Sequence, residues 1–142
     1  MDLLLIVRDA LASSLMGGLL VAIEARKAGR EVGVLVTQEA LAALARGSFG
    51  WPRELSGQHT RLLMADRGAA ADLPLQGRGE GRQLDAKGLV SRAREAGVAV
   101  YACPIWSSLL DLEGELPEGL QAVENGDVSG LIQRAERVVG SL

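Results

Sequence analysis

The sequence predicts a single three-layer α/β domain, with a mostly parallel sheet of four or five strands and helices on its faces. Three observations lead there. Short apolar runs alternate with segments of helical period from one end of the chain to the other. The first run, Leu3 to Val7, is apolar without alternation, the mark of a strand buried on both sides. The 142 residues contain no internal repeat and no linker long enough to divide them, so 1–142 reads as one domain. A chain of this length can bury roughly two thirds of its extended surface, which suffices for a conventional core.

The elements follow in order. Residues 3–7 form the first strand. A helix is expected over 14–28, with Ser13 or Ser14 as N-cap and Gly29 as its stop. Its apolar residues do not gather into one stripe: Leu15, Leu19 and Ala22 share a face, Met16, Leu20 and Ile23 lie a quarter turn away, and Val21 points elsewhere. A helix apolar most of the way round is covered on more than one side. The pair Gly17-Gly18 permits close backbone approach. "EVGVLVT" gives a second strand over 32–36, and Thr37 caps "QEALAALAR", which ends at Gly47. "SFGWP" is a loop and 56–68 a weaker helix. Residues 69–84, rich in Gly and Arg, carry no regular pattern. Asp85 caps a helix that stops at Gly97. "VAVYA", 98–102, is the third strand, "PIWSSLLDL" a short helix with Pro104 at N1, and "LQAVE", 120–124, the fourth strand. Asp127 caps the last helix, and "VVGS" is a short closing strand.

Composition removes several classes of function. Fifteen basic and eighteen acidic residues leave a net charge of −3, with no chain-wide positive field for nucleic acid. At 3% aromatic residues, stacking platforms for single strands are missing as well. The N-terminal apolar run is five residues long and follows Asp2 rather than a basic segment, unlike a signal peptide. No stretch approaches the ~20 apolar residues of a membrane span. The single cysteine makes no internal disulfide, which fits a reducing cytoplasm. A soluble cytoplasmic protein without cofactor or metal is expected.

In parallel sheets, reactive groups collect at the carboxyl ends of strands. Four places qualify: Arg8-Asp9, Thr37-Gln38-Glu39, Cys103 and Glu124-Asn125. Cys103 is the sharpest. It ends a strand and precedes Pro104 at a helix start, where the first N–H groups place partial positive charge that favours a thiolate. The competing reading is a small buried hydrophobe, since free cysteine is among the most buried residue types. There is no CxxC for dithiol chemistry, and one Cys with one His cannot build a structural zinc site. A Cys-His pair requires His59 to fold beside Cys103, and nothing in the sequence orients it. "GRGEGR", 77–82, follows no strand and lacks GK[ST], so it reads as a surface loop rather than a phosphate cradle, with Arg78 and Arg82 able to lend charge to an anionic substrate. Asp9 ends a strand as in phospho-receiver domains, without that site's other acids and lysine. Trp51 and Trp106 read first as packing residues, though Trp106, one turn from Cys103, could wall a pocket.

Taken together, "ARKAGREVGVLVTQEALAALARG" and "REAGVAVYACPIWSSLL" resemble the DsrE/DsrF-like (TusD-like) family of sulfur-relay proteins, whose domain is flavodoxin-like. The layout matches over essentially the whole chain. The more specific part is a cysteine after the third main strand, a short helix, an acidic proline-bearing turn and another strand: Cys103, the helix to Leu112, "EGELPEG" and "LQAVE". The resemblance implies a persulfide on Cys103, sulfur donor and acceptor proteins as partners, and a homo-oligomer. Candidate substrate contacts are Pro104, Trp106, Arg78 and Arg82. Pro104 directly after the cysteine and the loop at 76–84 depart from the family pattern. The alternative is a binding or assembly subunit in which a strand-end crevice holds a small ligand or partner and Cys103 only packs.

Overall fold

The computed structural model describes residues 1–75 and 85–140. Five strands form one sheet in the order β4-β3-β2-β1-β5: β1 Leu3–Val7, β2 Val32–Val36, β3 Ala99–Ala102, β4 Gln121–Ala122 and β5 Arg137–Gly140. Every pairing is parallel. Among the described residues the helices are α1 Ala12–Lys27, α2 Gln38–Arg46, α3 Gln58–Ala70, α4 Ala86–Glu95, α5 Pro104–Leu109 and α6 Val128–Arg134, with single 3-10 turns at Arg53–Leu55 and Glu124–Gly126. The central strand β2 is buried at all five positions, as its unbroken apolar run requires.

The two faces of the sheet are covered unequally. Register partners in parallel strands point the same way, so Leu5, Val34 and Val100 share one face with Val7, Val36 and Ala102. All six are buried. Helix α1 lies on this face: a Cβ built on Gly18 would stand 3.2 Å from Cγ2 of Val7. Gly17 has open space instead, so close approach needs only the second glycine of the pair. Helix α4 packs on α1. The opposite face carries Leu4 and Leu35, both buried, together with Ile6, Ala99 and Tyr101, each only partly buried. Leu131 and Arg134 of α6 stand beside Tyr101 there. Right-handed crossovers explain the asymmetry, because β1 to β4 advance in one direction and only the return to β5 runs the other way.

Local chemistry sets most boundaries. Asp85 accepts from the Gly88 N–H at 2.8 Å and Asp127 from the Gly130 N–H at 2.8 Å, the expected caps of α4 and α6. Gly29 and Gly97 take φ of +86° and +94°, stopping α1 and α4 as expected. Helix α1 starts earlier than expected, with Leu11 rather than Ser13 or Ser14 at the N-cap. Its first donors are met otherwise: Leu11 N–H by Asp9 Oδ1 at 3.0 Å and Ala12 N–H by the Gly50 carbonyl at 2.7 Å. Thr37 holds the N-cap position of α2 without a side-chain cap bond. The fourth strand is two residues rather than five, because Gly119 turns the chain before it and a 3-10 turn with Asn125 at φ +54° follows.

The all-round apolar α1 is resolved within the chain. Met16 and Ile23 are buried, Leu20 is partly buried, and Val21 is 42% exposed. Helix α4, rather than segment 52–75, is the main cover. Leu19→Ala, at a fully buried position, is therefore expected to cost about 2–5 kcal/mol in urea unfolding, whereas Val21→Ala should stay within about 0.5 kcal/mol. Equal costs at the two positions would contradict this packing.

Candidate functional site

The parallel sheet brings the carboxyl ends of β2, β3 and β4 to one rim. Cys103 follows β3 there and is the N-cap of α5, with Pro104 at the first helical position. Its N–H donates to the Val36 carbonyl at 3.0 Å, continuing the β2–β3 ladder one residue past the strand. Its carbonyl accepts twice, from the Ser107 N–H at 2.9 Å and from Ser107 Oγ at 2.8 Å. Ser107 is itself 5% exposed, so this hydroxyl is a buried polar group whose cost is offset by that bond. The cysteine backbone is thus held from both sides, by the sheet before it and by the helix after it.

The thiol is 3% exposed. No side-chain cap bond links it to the helix N–H groups. The expected contact between the sulfur and those donors is therefore not formed in this state. Among the described residues, the N–H groups of Ile105 and Trp106 have no hydrogen-bond acceptor, as the first turn of a helix leaves them.

Beside Cys103 opens a cleft of ≈ 350 Å³. Ala102, Pro104 and Ser107 form one wall and Leu116, Leu120 and Val123 another, with Glu113, Gln121, Ala122 and Gly126 completing it. The cysteine's neighbours on both sides line the cleft and the cysteine does not. Pro104 is where the sequence placed a substrate contact. Trp106 is partly buried against the core and does not line the cleft. Arg78 and Arg82 lie outside the described residues. His59 is exposed on α3 and forms no hydrogen bond with Cys103. Trp51 lines a separate recess of ≈ 180 Å³ with Phe49, Asp85 and Lys87. Among the described residues, no group of three or more His, Cys, Asp or Glu is placed to hold a metal ion, and no helix is long and apolar enough to cross a membrane.

Sequence reasoning passed over Ser107 and the wall made by Leu116, Leu120 and Val123. Those leucines fall in a proline- and glycine-rich turn, where no period announces a common face. The segment is anchored from the opposite side by Arg46 at the end of α2. Its Nε is paired with the Glu115 carboxylate, and its Nη2 donates to the Asp111 carbonyl at 2.8 Å. The hydrogen bond that Arg46 donates to the Glu115 carboxylate raises the Arg46 pKa above its ordinary value.

Removing the Ser107 hydroxyl in Ser107→Ala takes away one of the two bonds to the Cys103 carbonyl. A loss of about 1 kcal/mol in denaturant unfolding is expected. An unchanged midpoint would mean that the hydroxyl does not hold the cysteine turn.

No protein-family model matches the sequence, and no curated protein matches it. Its fold is similar to a solved structure, the crystal structure of ychN protein from E. coli, with a TM-score of 0.59 and 17% identity over 99% of each chain. At that identity the likeness establishes the fold: an α/β domain on a five-stranded, all-parallel sheet flanked by helices.

Proposed function

We propose that the protein carries sulfane sulfur as a persulfide on Cys103. The observation that carries this reading is the position of the only thiol in the chain: end of β3, N-cap of α5, with cleft-lining residues on either side. The fold likeness to ychN protein over 99% of each chain supports the α/β layout that the DsrE/DsrF-like resemblance implies. An unpaired thiol also suits a cytoplasmic setting.

The chemistry balances without an added oxidant. The Cys103 thiol gives up its proton and its sulfur attacks the outer sulfur of a donor persulfide. A new S–S bond forms on Cys103, the donor's S–S bond breaks, and the donor thiolate leaves with the electron pair and takes a proton. Transfer to an acceptor is the same exchange with the acceptor thiolate attacking. Burial of the thiol makes loading depend on a local opening of the α5 turn toward the cleft. Once loaded, the side chain is longer by one S–S bond of about 2 Å, which carries the terminal sulfur outward from the packed position. The unclaimed N–H groups of Ile105 and Trp106 are the donors available to an anionic sulfur there.

The burial of Cys103 favours a second reading, in which the cleft binds a ligand or partner and the thiol only packs. Self-association is a separate proposal. Its support is Ile6 and Tyr101, partly buried on the α6 side of the sheet, together with Val138, 41% exposed on the open edge strand β5. Sedimentation at micromolar concentration should give more than the monomer mass of 14.9 kDa, and Val138→Lys should lower it; a monomer throughout contradicts assembly.

Incubation with inorganic polysulfide followed by intact-mass measurement tests the carrier reading. A gain of one sulfur, lost on cyanide treatment and absent in Cys103→Ser, is expected. If the wild-type protein gains nothing under conditions that label its thiol with iodoacetamide, the packing reading stands in its place.

A further inference from the structure

The cleft beside Cys103 is a single cavity whose lining specifies the chemistry of a ligand. Its volume of ≈ 350 Å³ lies within the range of small-molecule sites. The walls are apolar, with Pro104 on one side and Leu116, Leu120 and Val123 on the other. Three polar side chains also line it, Ser107, Glu113 and Gln121, and they are not equally free. Ser107 Oγ donates to the Cys103 carbonyl at 2.8 Å, so its proton is committed inward. Gln121, on β4, lines the recess on the α6 side of the sheet as well. Among the described residues Glu113 is the one charged side chain in the lining, and its carboxylate forms no hydrogen bond and no ion pair. The basic side chains that touch this segment do so outside the cleft: Arg46 on Glu115 and the Asp111 carbonyl, Arg94 on the Glu118 carbonyl at 3.3 Å, and Arg134 on Glu124.

We infer that this cleft binds a small organic cation, a primary ammonium carried on a compact hydrocarbon body. The body follows from the walls: hydrocarbon set against Pro104, Leu116, Leu120 and Val123 removes apolar surface from water and asks for no polar partner. The charge follows from Glu113. An ammonium donates to its carboxylate, and the apolar walls lower the local dielectric, which strengthens the pair relative to open water. An anion meets the same carboxylate with no basic lining group to offset the repulsion, and the Ser107 proton is already spent. A neutral molecule of the same shape fills the walls equally well and leaves Glu113 to water, so the amine exceeds it by that one pair. This names the ligand class of the binding reading and rests on it, while sulfur loading of Cys103 is decided by its own measurement.

Probes of one shape and different charge separate the parts: cyclohexylmethylamine, cyclohexylmethanol and cyclohexanecarboxylate, each titrated into the isotope-labelled full chain and followed by amide chemical shifts. The amine should move the amides of Ser107, Glu113, Leu116 and Leu120 and bind about fivefold more tightly than the alcohol, with the carboxylate weakest. Added salt should weaken the amine and not the alcohol. Glu113 is exposed, so Glu113→Gln leaves the packing intact; the amine should lose its advantage there while the alcohol binds as before. Leu116→Ala should weaken amine and alcohol alike. An advantage kept in Glu113→Gln, or a carboxylate that binds as well as the amine, overturns the inference of a cation and leaves the cleft as a binding site. Shifts confined to Tyr101 and Leu131 place the probe in the recess beside α6 and overturn the inference too. If no probe moves the cleft amides, the small-ligand reading of the cleft falls with the inference, and the mass gain on Cys103 is untouched by that result.

Discussion

A parallel strand cannot be joined to its neighbour by a tight turn, and the rest of this structure depends on that constraint. Each connection from β1 to β4 must climb back across the sheet, and helices fill those returns. All strands therefore end on one rim, and every helix that follows a strand begins there. Right-handed crossover then commits the forward connections to one face. The face under α1 and α4 is closed over Val7, Val36 and Ala102, while the face with Tyr101 has the short α6 beside it. The position of Cys103 and the unevenly covered sheet are thus two consequences of one topology.

At the rim, Cys103 answers to two opposed demands. Its backbone completes the β2–β3 ladder and starts α5, so it is fixed by the Val36 carbonyl on one side and Ser107 on the other. Its side chain shares the packing of the sheet it leaves, which shields the sulfur. Pro104 reconciles these demands in part. It begins a helix without wasting a donor, and it lines the cleft that opens beside the cysteine, which itself stays out of that lining. A thiol held in this way is protected until the turn yields.

Much of the fold was legible because its signals are local. Leu3 to Val7 and Val32 to Val36 announce buried strands by unbroken apolar runs, and Asp85 and Asp127 announce helix starts by chemistry that acts within three residues. The start of α1 was not legible at Ser13 or Ser14, because its first N–H groups are met by Asp9 and by Gly50, the latter far along the chain. The second wall of the cleft escaped for the same reason: Leu116 and Leu120 reach Pro104 and Ser107 only through the folded chain. The thiol's position was legible from "VAVYACP", but its burial was not, since burial is set by neighbours that no short window contains. Arg78 and Arg82 lie beyond the described residues and leave the expectation about them where the sequence put it.

On the carrier reading, Cys103 is reached through local opening of its turn rather than through unfolding of the domain. The direct measurement is the rate at which native protein reacts with iodoacetamide at Cys103, followed from zero to moderate urea, beside the global unfolding curve. Local opening exposes little surface, so the native-state rate should lie far above that allowed by the globally unfolded fraction and stay nearly flat in low urea. A rate that tracks the unfolded fraction, with the full urea dependence of global unfolding from the first addition, would contradict it.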